Sequence, residues 1–92
     1  MLKPDFSRDA DKFLRKLPPK QGRQVATKVC ELLNDPEPSD SASLKGYPKY
    51  RRADIGEYRI IYEVDGDILR ITLINKRNDD QVYRKLKRKQ GA

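Results

Sequence analysis

This 92-residue chain is notable first for the residue types that it lacks. It contains no histidine and no tryptophan, and Cys30 is its only cysteine. Without histidine the chain lacks the commonest general base and the usual nitrogen ligand of zinc, so a metal centre built on His or Cys ligands is excluded. A single cysteine also excludes an intrachain disulfide. Because Cys30 lies beside an apolar helical stripe, we predict a small buried side chain without chemistry.

Long apolar runs are also missing. The N-terminal sequence MLKPDFSRDA has no apolar core of secretory length, and no stretch approaches the roughly 20 apolar residues of a membrane-spanning helix. We therefore expect a cytoplasmic protein. A chain of 92 residues is long enough for one domain, 1–92, with a two-layer core.

Positive charge, in contrast, is plentiful and unevenly distributed. The chain has 21 Lys and Arg residues against 14 Asp and Glu residues, a formal net charge of +7. Residues 1–43 carry 8 basic and 7 acidic side chains, whereas residues 44–92 carry 13 and 7. The second half therefore faces any polyanionic partner. Charge alone leaves open whether that partner is nucleic acid, an anionic membrane or an acidic protein.

Alternating apolar residues predict two strands, 58–64 and 68–74, each with one apolar face. These faces consist of Tyr58, Ile60, Tyr62 and Val64 in the first strand and of Leu69, Ile71 and Leu73 in the second. The Asp-Gly pair between them, at 65–66, favours a type I′ turn. A preceding strand over 50–55 is followed by Gly56, the natural place for another tight reversal. The prediction is a three-stranded antiparallel meander.

A helical hairpin is predicted before the meander. Ser7 is a good N-cap for a helix over about 7–17, whose apolar face consists of Phe6, Ala10, Phe13, Leu14 and Leu17. Pro18-Pro19 ends this helix and is compatible with the first turn of the next. The second apolar stripe, ending near 34–35, consists of Val25, Ala26, Val29, Leu32 and Leu33.

The remaining segments complete the predicted order β-α-α-β-β-β-α. Residues 1–6 are compatible with a brief edge strand, where Pro4 is tolerated. Residues 34–43 are turn formers and predict a surface loop, after which 44–46 return the chain to the core. A last helix is expected over about 79–89. The fold class is α+β, with the helical hairpin packed on a small antiparallel sheet.

Arginines gather on the strands of the predicted meander. Arg59 alternates with apolar neighbours, so it points to the sheet face that the helices do not cover, where a solvated arginine is the simplest interpretation. Arg51, Arg52, Lys76 and Arg77 are predicted to converge on the same side. Because clustered like charges repel, such a cluster indicates an anion, and phosphate is the natural one.

Two C-terminal features each allow two interpretations. Tyr83 either covers the sheet together with its apolar helix neighbours or presents its hydroxyl to a substrate. The basic run over 84–89 is either a solvated tail or a source of non-specific attraction to phosphate.

The segment LKGYPKYRRADIGEYRIIYEVDGDILRITLINKRNDDQVYRKL resembles the RelE superfamily of toxin–antitoxin ribonucleases. The shared motifs are Leu-Lys-Gly at 44–46, Gly-x-Tyr-Arg-Ile-Ile-Tyr at 56–62 and Lys-Arg-x5-Tyr at 76–83. The resemblance implies a RelE-like fold and a toxin that binds the ribosomal A site and cuts mRNA there without a metal or other cofactor. It also implies a cognate antitoxin, and a toxin–antitoxin hetero-oligomer, as partners beside ribosome and mRNA, and no membrane.

The resemblance also implies site residues. Arg77 would stabilise the transition state, Arg59 would hold the phosphate, and Tyr83 would orient the RNA 2′-hydroxyl, while Arg52 matches a basic position on the first meander strand. RNA-binding positions are Lys45, Lys49, Arg51, Lys76 and Arg84. One departure is that Ala53 and Asp54 stand where the family's ribonucleases often carry a second strand cation. A second departure is Asn75, which replaces the usual glycine before Lys-Arg.

Two other functions are compatible with the sequence. A ParE-like toxin, which shares the fold, inhibits DNA gyrase and cuts nothing, but such toxins generally lack the closing Lys-Arg-x5-Tyr. A non-catalytic RNA-binding module would only grip phosphate with the same basic face.

Overall fold

The computed structural model describes residues 1–77 as two helices packed on one sheet of five strands. In chain order the elements are β1 (Lys3–Phe6), α1 (Arg8–Lys16), α2 (Pro19–Asn34), β2 (Ser41–Leu44), β3 (Tyr47–Ile55), β4 (Tyr58–Asp65) and β5 (Ile68–Lys76). The α+β class, the helical hairpin and the meander are confirmed. The helix predicted over 79–89 lies outside the described residues, as do Tyr83 and Arg84.

Helix α1 begins where predicted because Ser7 caps it. The Ser7 hydroxyl oxygen accepts a hydrogen bond from the Ala10 N–H at 3.0 Å and donates one to the Thr72 carbonyl at 2.6 Å. The first bond satisfies an amide that the helix leaves unpaired, and the second ties α1 to β5. Ala10 is fully buried. The other members of the predicted apolar face, which pack against the same core, are Phe6, Phe13, Leu14 and Leu17.

Helix α2 starts at Pro19, where the missing proline N–H leaves no helical bond unmade. Its buried apolar side chains are Val25, Val29 and Leu32. Ala26 and Cys30 are exposed, so the prediction of a buried cysteine is wrong. Each residue is rotated by about 100° around the helix axis from the one before it, which turns Cys30 away from the face that Val29 occupies.

The sheet has the strand order β1-β5-β4-β3-β2. Strand β1 is an edge strand, and it pairs parallel to β5, so the sheet is mixed where a purely antiparallel one was predicted. The other edge strand, β2, was not predicted, because the loop assigned to 34–43 includes its first residues. Ser41–Leu44 carries a weak strand pattern of its own, and its antiparallel pairing with β3 makes it a strand.

Two tight turns hold the meander in register. Gly56 and Gly66 have φ angles of 57° and 60°, the left-handed region that glycine adopts without steric cost. Ile55 therefore pairs with Tyr58 across the first turn. The predicted reversals at 56 and 65–66 are both confirmed.

A β-bulge divides the apolar residues of β5 between the two faces of the sheet. Ile61 pairs with Leu73 and Tyr62 pairs with Ile71, which leaves Thr72 as an extra residue. Leu73 therefore does not share a face with Ile71, contrary to the prediction. The helix-side core includes Tyr58, Ile60, Tyr62, Leu69, Ile71 and Ile74. The cluster on the second face of the sheet consists of Leu44, Tyr50, Ile61 and Leu73, with Tyr47 packed against it.

Candidate functional site

The three predicted catalytic arginines meet on the second face of the sheet. Arg52 lies on β3, Arg59 on β4, and Arg77 directly after β5. Arg52 and Arg59 alternate along their strands with residues of the helix-side core, and Arg77 follows the end of β5. The strand period of two therefore directs these side chains away from the helices. We call Arg52, Arg59 and Arg77 the arginine triad.

The triad is centred on a carboxylate of the chain itself, Asp54. Arg59 donates from Nε to Asp54 Oδ1 at 2.9 Å and from Nη2 to Oδ2 at 3.4 Å, a two-point grip. Arg77 Nε lies 3.4 Å from the same Oδ2, and Arg52 Nη1 lies 3.7 Å from it. A single carboxylate oxygen is thus approached by all three guanidinium groups.

The turn between β3 and β4 supplies a second anchor for Arg77. The Arg77 N–H donates to the Glu57 carbonyl at 2.9 Å, and its Nη1 lies 3.4 Å from the Gly56 carbonyl. These contacts orient a side chain that is still 55 % exposed, whereas the Arg59 side chain is only 17 % exposed. Arg59 is therefore the embedded member of the triad, and Arg77 is the accessible one.

The charge on Asp54 is favoured by the triad. Burial acts to raise the pKa of this carboxyl, but the Arg59 hydrogen bonds and the charges of Arg59, Arg77 and Arg52 outweigh it and hold the pKa below the ordinary value of 3.8. Asp54 is consequently ionised at neutral pH. Three guanidinium charges against one carboxylate leave the cluster with a net charge of +2.

A surface depression of about 490 Å³ adjoins the triad, and it is lined by Gly56, Glu57, Arg59, Lys76 and Arg77. Asn75 lies directly opposite Arg59 in the β4–β5 register and is 5 % exposed. Its Nδ2 is buried and has no hydrogen-bond partner among the described residues. A row of polar side chains, Asp54, Arg59 and Asn75, thus crosses three adjacent strands beside the depression.

Arg51 does not join the triad, and the prediction that it converges with Arg52 is wrong. Adjacent residues of a strand point to opposite faces, so Arg51 lies on the other side of β3. There it donates from Nη2 to Ser41 Oγ at 2.7 Å and pairs with Glu37 at 3.3 Å. Arg51 thus ties the loop after α2 to β2 and β3, which is a structural role.

The predicted RNA-binding residues are therefore spread over the molecule. Lys76 lines the depression with Arg77. Lys49 lines a different depression together with Arg51, and its Nζ lies 5.1 Å from the centroid of the Tyr50 ring. Lys45 is exposed in the turn between β2 and β3.

Sequence reasoning missed the role of Asp54, although a usable signal was present. Once Gly56 marks a two-residue turn, the register places Asp54 directly opposite Arg59. It also missed Lys28, whose side chain is 7 % exposed and which donates to Asp40 at 2.8 Å. That hydrogen bond and the neighbouring carboxylates of Asp40 and Glu31 raise the pKa of Lys28 above 10.5 despite the burial.

Two further properties concern the described residues 1–77. They contain no group of three or more His, Cys, Asp or Glu side chains placed to hold a metal ion. Neither α1 nor α2 has the length and apolar character needed to cross a bilayer.

Comparison with known proteins gives a family for this chain. Residues 2–81 match the family described as "ParE toxin of type II toxin-antitoxin system, parDE". No curated protein sequence matches the chain.

Several solved structures share the fold over nearly the whole chain. A free RelE toxin of E. coli carrying two arginine-to-alanine substitutions is 26% identical, with a TM-score of 0.79 over 95% of this chain and 96% of that one. The RelE of a RelE–RelB complex from Pyrococcus horikoshii is 25% identical, with a TM-score of 0.73 over 84% and 96%. The toxin of a RelB–RelE complex from Methanococcus jannaschii is 25% identical, with a TM-score of 0.67 over 92% and 98%. By its family match and its RelE-like fold, the chain belongs to the RelE/ParE superfamily of type II toxin–antitoxin toxins.

Proposed function

We propose that this toxin is a ribosome-dependent endoribonuclease that cleaves mRNA in the A site, using the 2′-hydroxyl of the RNA as the nucleophile. The observation that supports it most is the convergence of three guanidinium groups on one carboxylate oxygen, Oδ2 of Asp54. Donors arranged around one oxyanion are also suitably arranged for a phosphate oxygen.

The proposed reaction needs charge stabilisation more than proton-transfer groups. Attack of the 2′-hydroxyl, with its proton passing to water, converts a phosphodiester with one negative charge into a phosphorane that carries two, and the 5′-oxygen leaves with a proton taken from water. A cluster with a net charge of +2 matches the second species better than the first, and catalysis requires that preference. Arg59 would hold the phosphate through its fork, and the more exposed Arg77 would approach the leaving oxygen.

The lack of histidine explains why the ribosome would be needed. Arginine and tyrosine have ordinary pKa values of above 12 and about 10, so neither is an efficient acid or base at neutral pH. Most of the acceleration must then come from alignment of the 2′-hydroxyl with the phosphorus, which the ribosome supplies by holding the mRNA. Tyr83 is proposed to orient that hydroxyl. Further phosphate contacts are proposed for Lys45, Lys49, Lys76 and Arg84, with Arg52 as the third arginine of the site.

Cleavage of ribosome-bound mRNA tests this proposal. Purified toxin should cut mRNA in the A site far faster than the same RNA in solution, leaving 2′,3′-cyclic phosphate and 5′-hydroxyl ends. Arg77→Ala should slow cutting by about 100-fold, the usual loss when a donor to transition-state charge is removed. It should weaken ribosome attachment only modestly, since one phosphate contact contributes about one counterion to the salt dependence.

Arg70→Ala is the matched control. Arg70 lies on β5, the strand that Arg77 follows, and it pairs with Asp5 and Asp65, away from the triad. Its removal should leave cutting unchanged. Equal cutting of naked and ribosome-bound RNA, or an equal loss of cutting in both variants, would contradict the proposal.

The family match favours one alternative, a ParE-like toxin that inhibits DNA gyrase and cuts nothing. The two functions predict different results for Tyr83→Phe. In the nuclease, removal of the hydroxyl should abolish growth arrest and mRNA cutting together. Growth arrest that persists in Tyr83→Phe, with mRNA uncut and gyrase supercoiling inhibited by both proteins, would establish the alternative.

A cognate antitoxin is the proposed partner, because RelE toxins of this fold were solved in complex with RelB. The net charge of +2 on the triad together with Asp54 predicts an acid-rich segment that lies across it or displaces the segment 79–89. Co-expression with the protein encoded next to the toxin should rescue growth and give a stable complex. A neighbour that neither binds nor rescues would contradict this assignment.

A further inference from the structure

The position of Asp54 raises a question that the proposed chemistry leaves open. A site that binds RNA phosphate gains affinity from free cations, yet here the carboxylate takes hydrogen bonds from both Nε and Nη2 of Arg59. Arg77 and Arg52 are drawn to the same oxygen. A phosphate that binds in the same way must take these donors from Asp54.

We propose that Asp54 is an internal counter-ion that competes with RNA phosphate for the arginine triad. Only a phosphate that other contacts already hold in place displaces the carboxylate. This inference rests on the proposed function of the same site and deepens it, because it gives the toxin a physical reason to ignore free RNA and act on RNA held by the ribosome.

The backbone around Asp54 makes the competition effective. Asp54 and Arg59 are cross-strand partners next to a two-residue turn, so their backbones stay together whether or not RNA is present. The carboxylate therefore always lies next to the triad, whereas free RNA must reach the triad by diffusion. Rotation of the Asp54 side chain would release the arginines, and the adjoining depression of about 490 Å³ offers space for the incoming phosphate.

The charge that develops during the reaction favours displacement of Asp54. A phosphodiester carries one negative charge, the same as the Asp54 carboxylate, so the exchange gains little from charge alone. The phosphorane carries two, and the triad then favours the reacting phosphate over Asp54. Displacement of Asp54 costs the same free energy in both states, and the second charge of the phosphorane offsets more of that cost than the single charge of the phosphodiester does.

The substitution Asp54→Asn tests this idea by binding alone, without any cleavage assay. Asparagine keeps the size and one acceptor oxygen, but it removes the negative charge. We expect a 2′-deoxy oligonucleotide, which lacks the nucleophile, and inorganic phosphate to bind Asp54→Asn about 10- to 100-fold more tightly than wild type, the equivalent of one hydrogen bond to a charged group. The measurement is titration followed by the arginine Nε–Hε resonances, with calorimetry for the oligonucleotide.

Asp65→Asn is the charge-matched control. Asp65 is the last residue of β4, at the opposite end of that strand from Arg59, and its carboxylate pairs with Arg70 at 3.1 Å. The variant gains the same unit of net positive charge away from the triad. Its affinity for both probes should stay close to wild type. Equal or weaker binding by Asp54→Asn, or an equal gain in both variants, would overturn the proposal and leave Asp54 as a residue that merely positions the arginines.

A measurement on the wild-type toxin covers the case in which Asp54→Asn does not fold. At saturation with the deoxy oligonucleotide, the Asp54 carboxyl carbon resonance should shift, because the carboxylate loses its hydrogen bonds from Arg59. An unchanged resonance at saturation would refute the competition.

The inference and the proposed function fail separately. If the wild-type toxin leaves ribosomal mRNA intact but the Asp54→Asn variant binds phosphate more tightly than wild type, the nuclease proposal is refuted and the counter-ion proposal is supported. If the wild-type toxin cuts ribosomal mRNA but the Asp54→Asn variant binds phosphate no more tightly, the nuclease proposal is supported and the counter-ion proposal is refuted.

Discussion

Replacement of Ser7 by alanine is the sharpest test of how the helical layer is fixed to the sheet. The hydroxyl group of Ser7 makes two hydrogen bonds, accepting from Ala10 N–H at 3.0 Å and donating to the Thr72 carbonyl at 2.6 Å. The backbone N–H of Ser7 additionally donates to the Ile71 carbonyl at 2.9 Å, and the substitution leaves that bond intact. The change therefore removes two side-chain bonds while it retains the backbone connection.

The expected loss follows from these two bonds. Removal of a serine N-cap costs about 1 kcal/mol, and loss of a half-buried neutral hydrogen bond costs about 1 kcal/mol more. A loss of about 2 kcal/mol corresponds to a fall in Tm of about 10 °C for a domain of this size. The Thr72 carbonyl belongs to the bulge residue, which has no cross-strand partner in β4.

Urea unfolding monitored by far-UV circular dichroism measures the loss, with two controls. Ser7→Thr retains a hydroxyl and should stay near wild type. Ser39→Ala makes the same chemical change at an exposed serine, and it should alter stability by no more than about 0.5 kcal/mol. If Ser7→Ala were as stable as Ser39→Ala, the two bonds would contribute nothing and the account of this junction would be refuted.

Two further predictions concern buried polar contacts. The Tyr62 hydroxyl donates to the Pro36 carbonyl at 2.5 Å from a fully buried side chain, so Tyr62→Phe should cost about 1 to 2 kcal/mol in urea unfolding. The Tyr50 hydroxyl makes no hydrogen bond among residues 1–77, so Tyr50→Phe should lower the free energy of unfolding much less. Equal losses in the two variants would contradict the role of the Tyr62–Pro36 hydrogen bond. The folded-state pKa of Asp54 lies below its ordinary value of 3.8, so its charge stabilises the fold above that pH and the contribution disappears as the pH falls through the folded pKa. Wild type should therefore lose more stability than Asp54→Asn between neutral pH and about pH 3, and parallel losses in urea titrations would disprove the linkage.

The meander was predictable because its signals are local. An Asp-Gly pair at 65–66 and a glycine at 56 define both turns, and alternation separates Arg59 from the core residues on either side of it. The Ser7 cap and the two prolines likewise mark the helix ends within a few residues. Such features act within one turn or one strand, so sequence alone contains them.

The errors arose where one strand depends on another. Strand β2 exists through its pairing with β3, and the bulge at Thr72 moves Leu73 to the second face although the β5 pattern has no break. The Asp54–Arg59 pair follows from the turn register, whereas the family resemblance indicates a cation at this place in the strand and gives no signal for a carboxylate. The strand period of two correctly places Arg59 on the second face of the sheet. The same rule places the adjacent residues Arg51 and Arg52 on opposite faces, which the prediction of their convergence ignored.

The order of pairing along the chain has a consequence for folding kinetics. Strands β3, β4 and β5 pair with their sequence neighbours, so the meander that carries Asp54 and Arg59 closes only short loops. The seam between β1 and β5 joins residues as far apart as Ser7 and Thr72, a separation of 65. Because such long-range closure is slow, we expect the meander to form in the folding transition state and the seam to form after it. Substitutions in the seam should then accelerate unfolding and leave the refolding rate nearly unchanged.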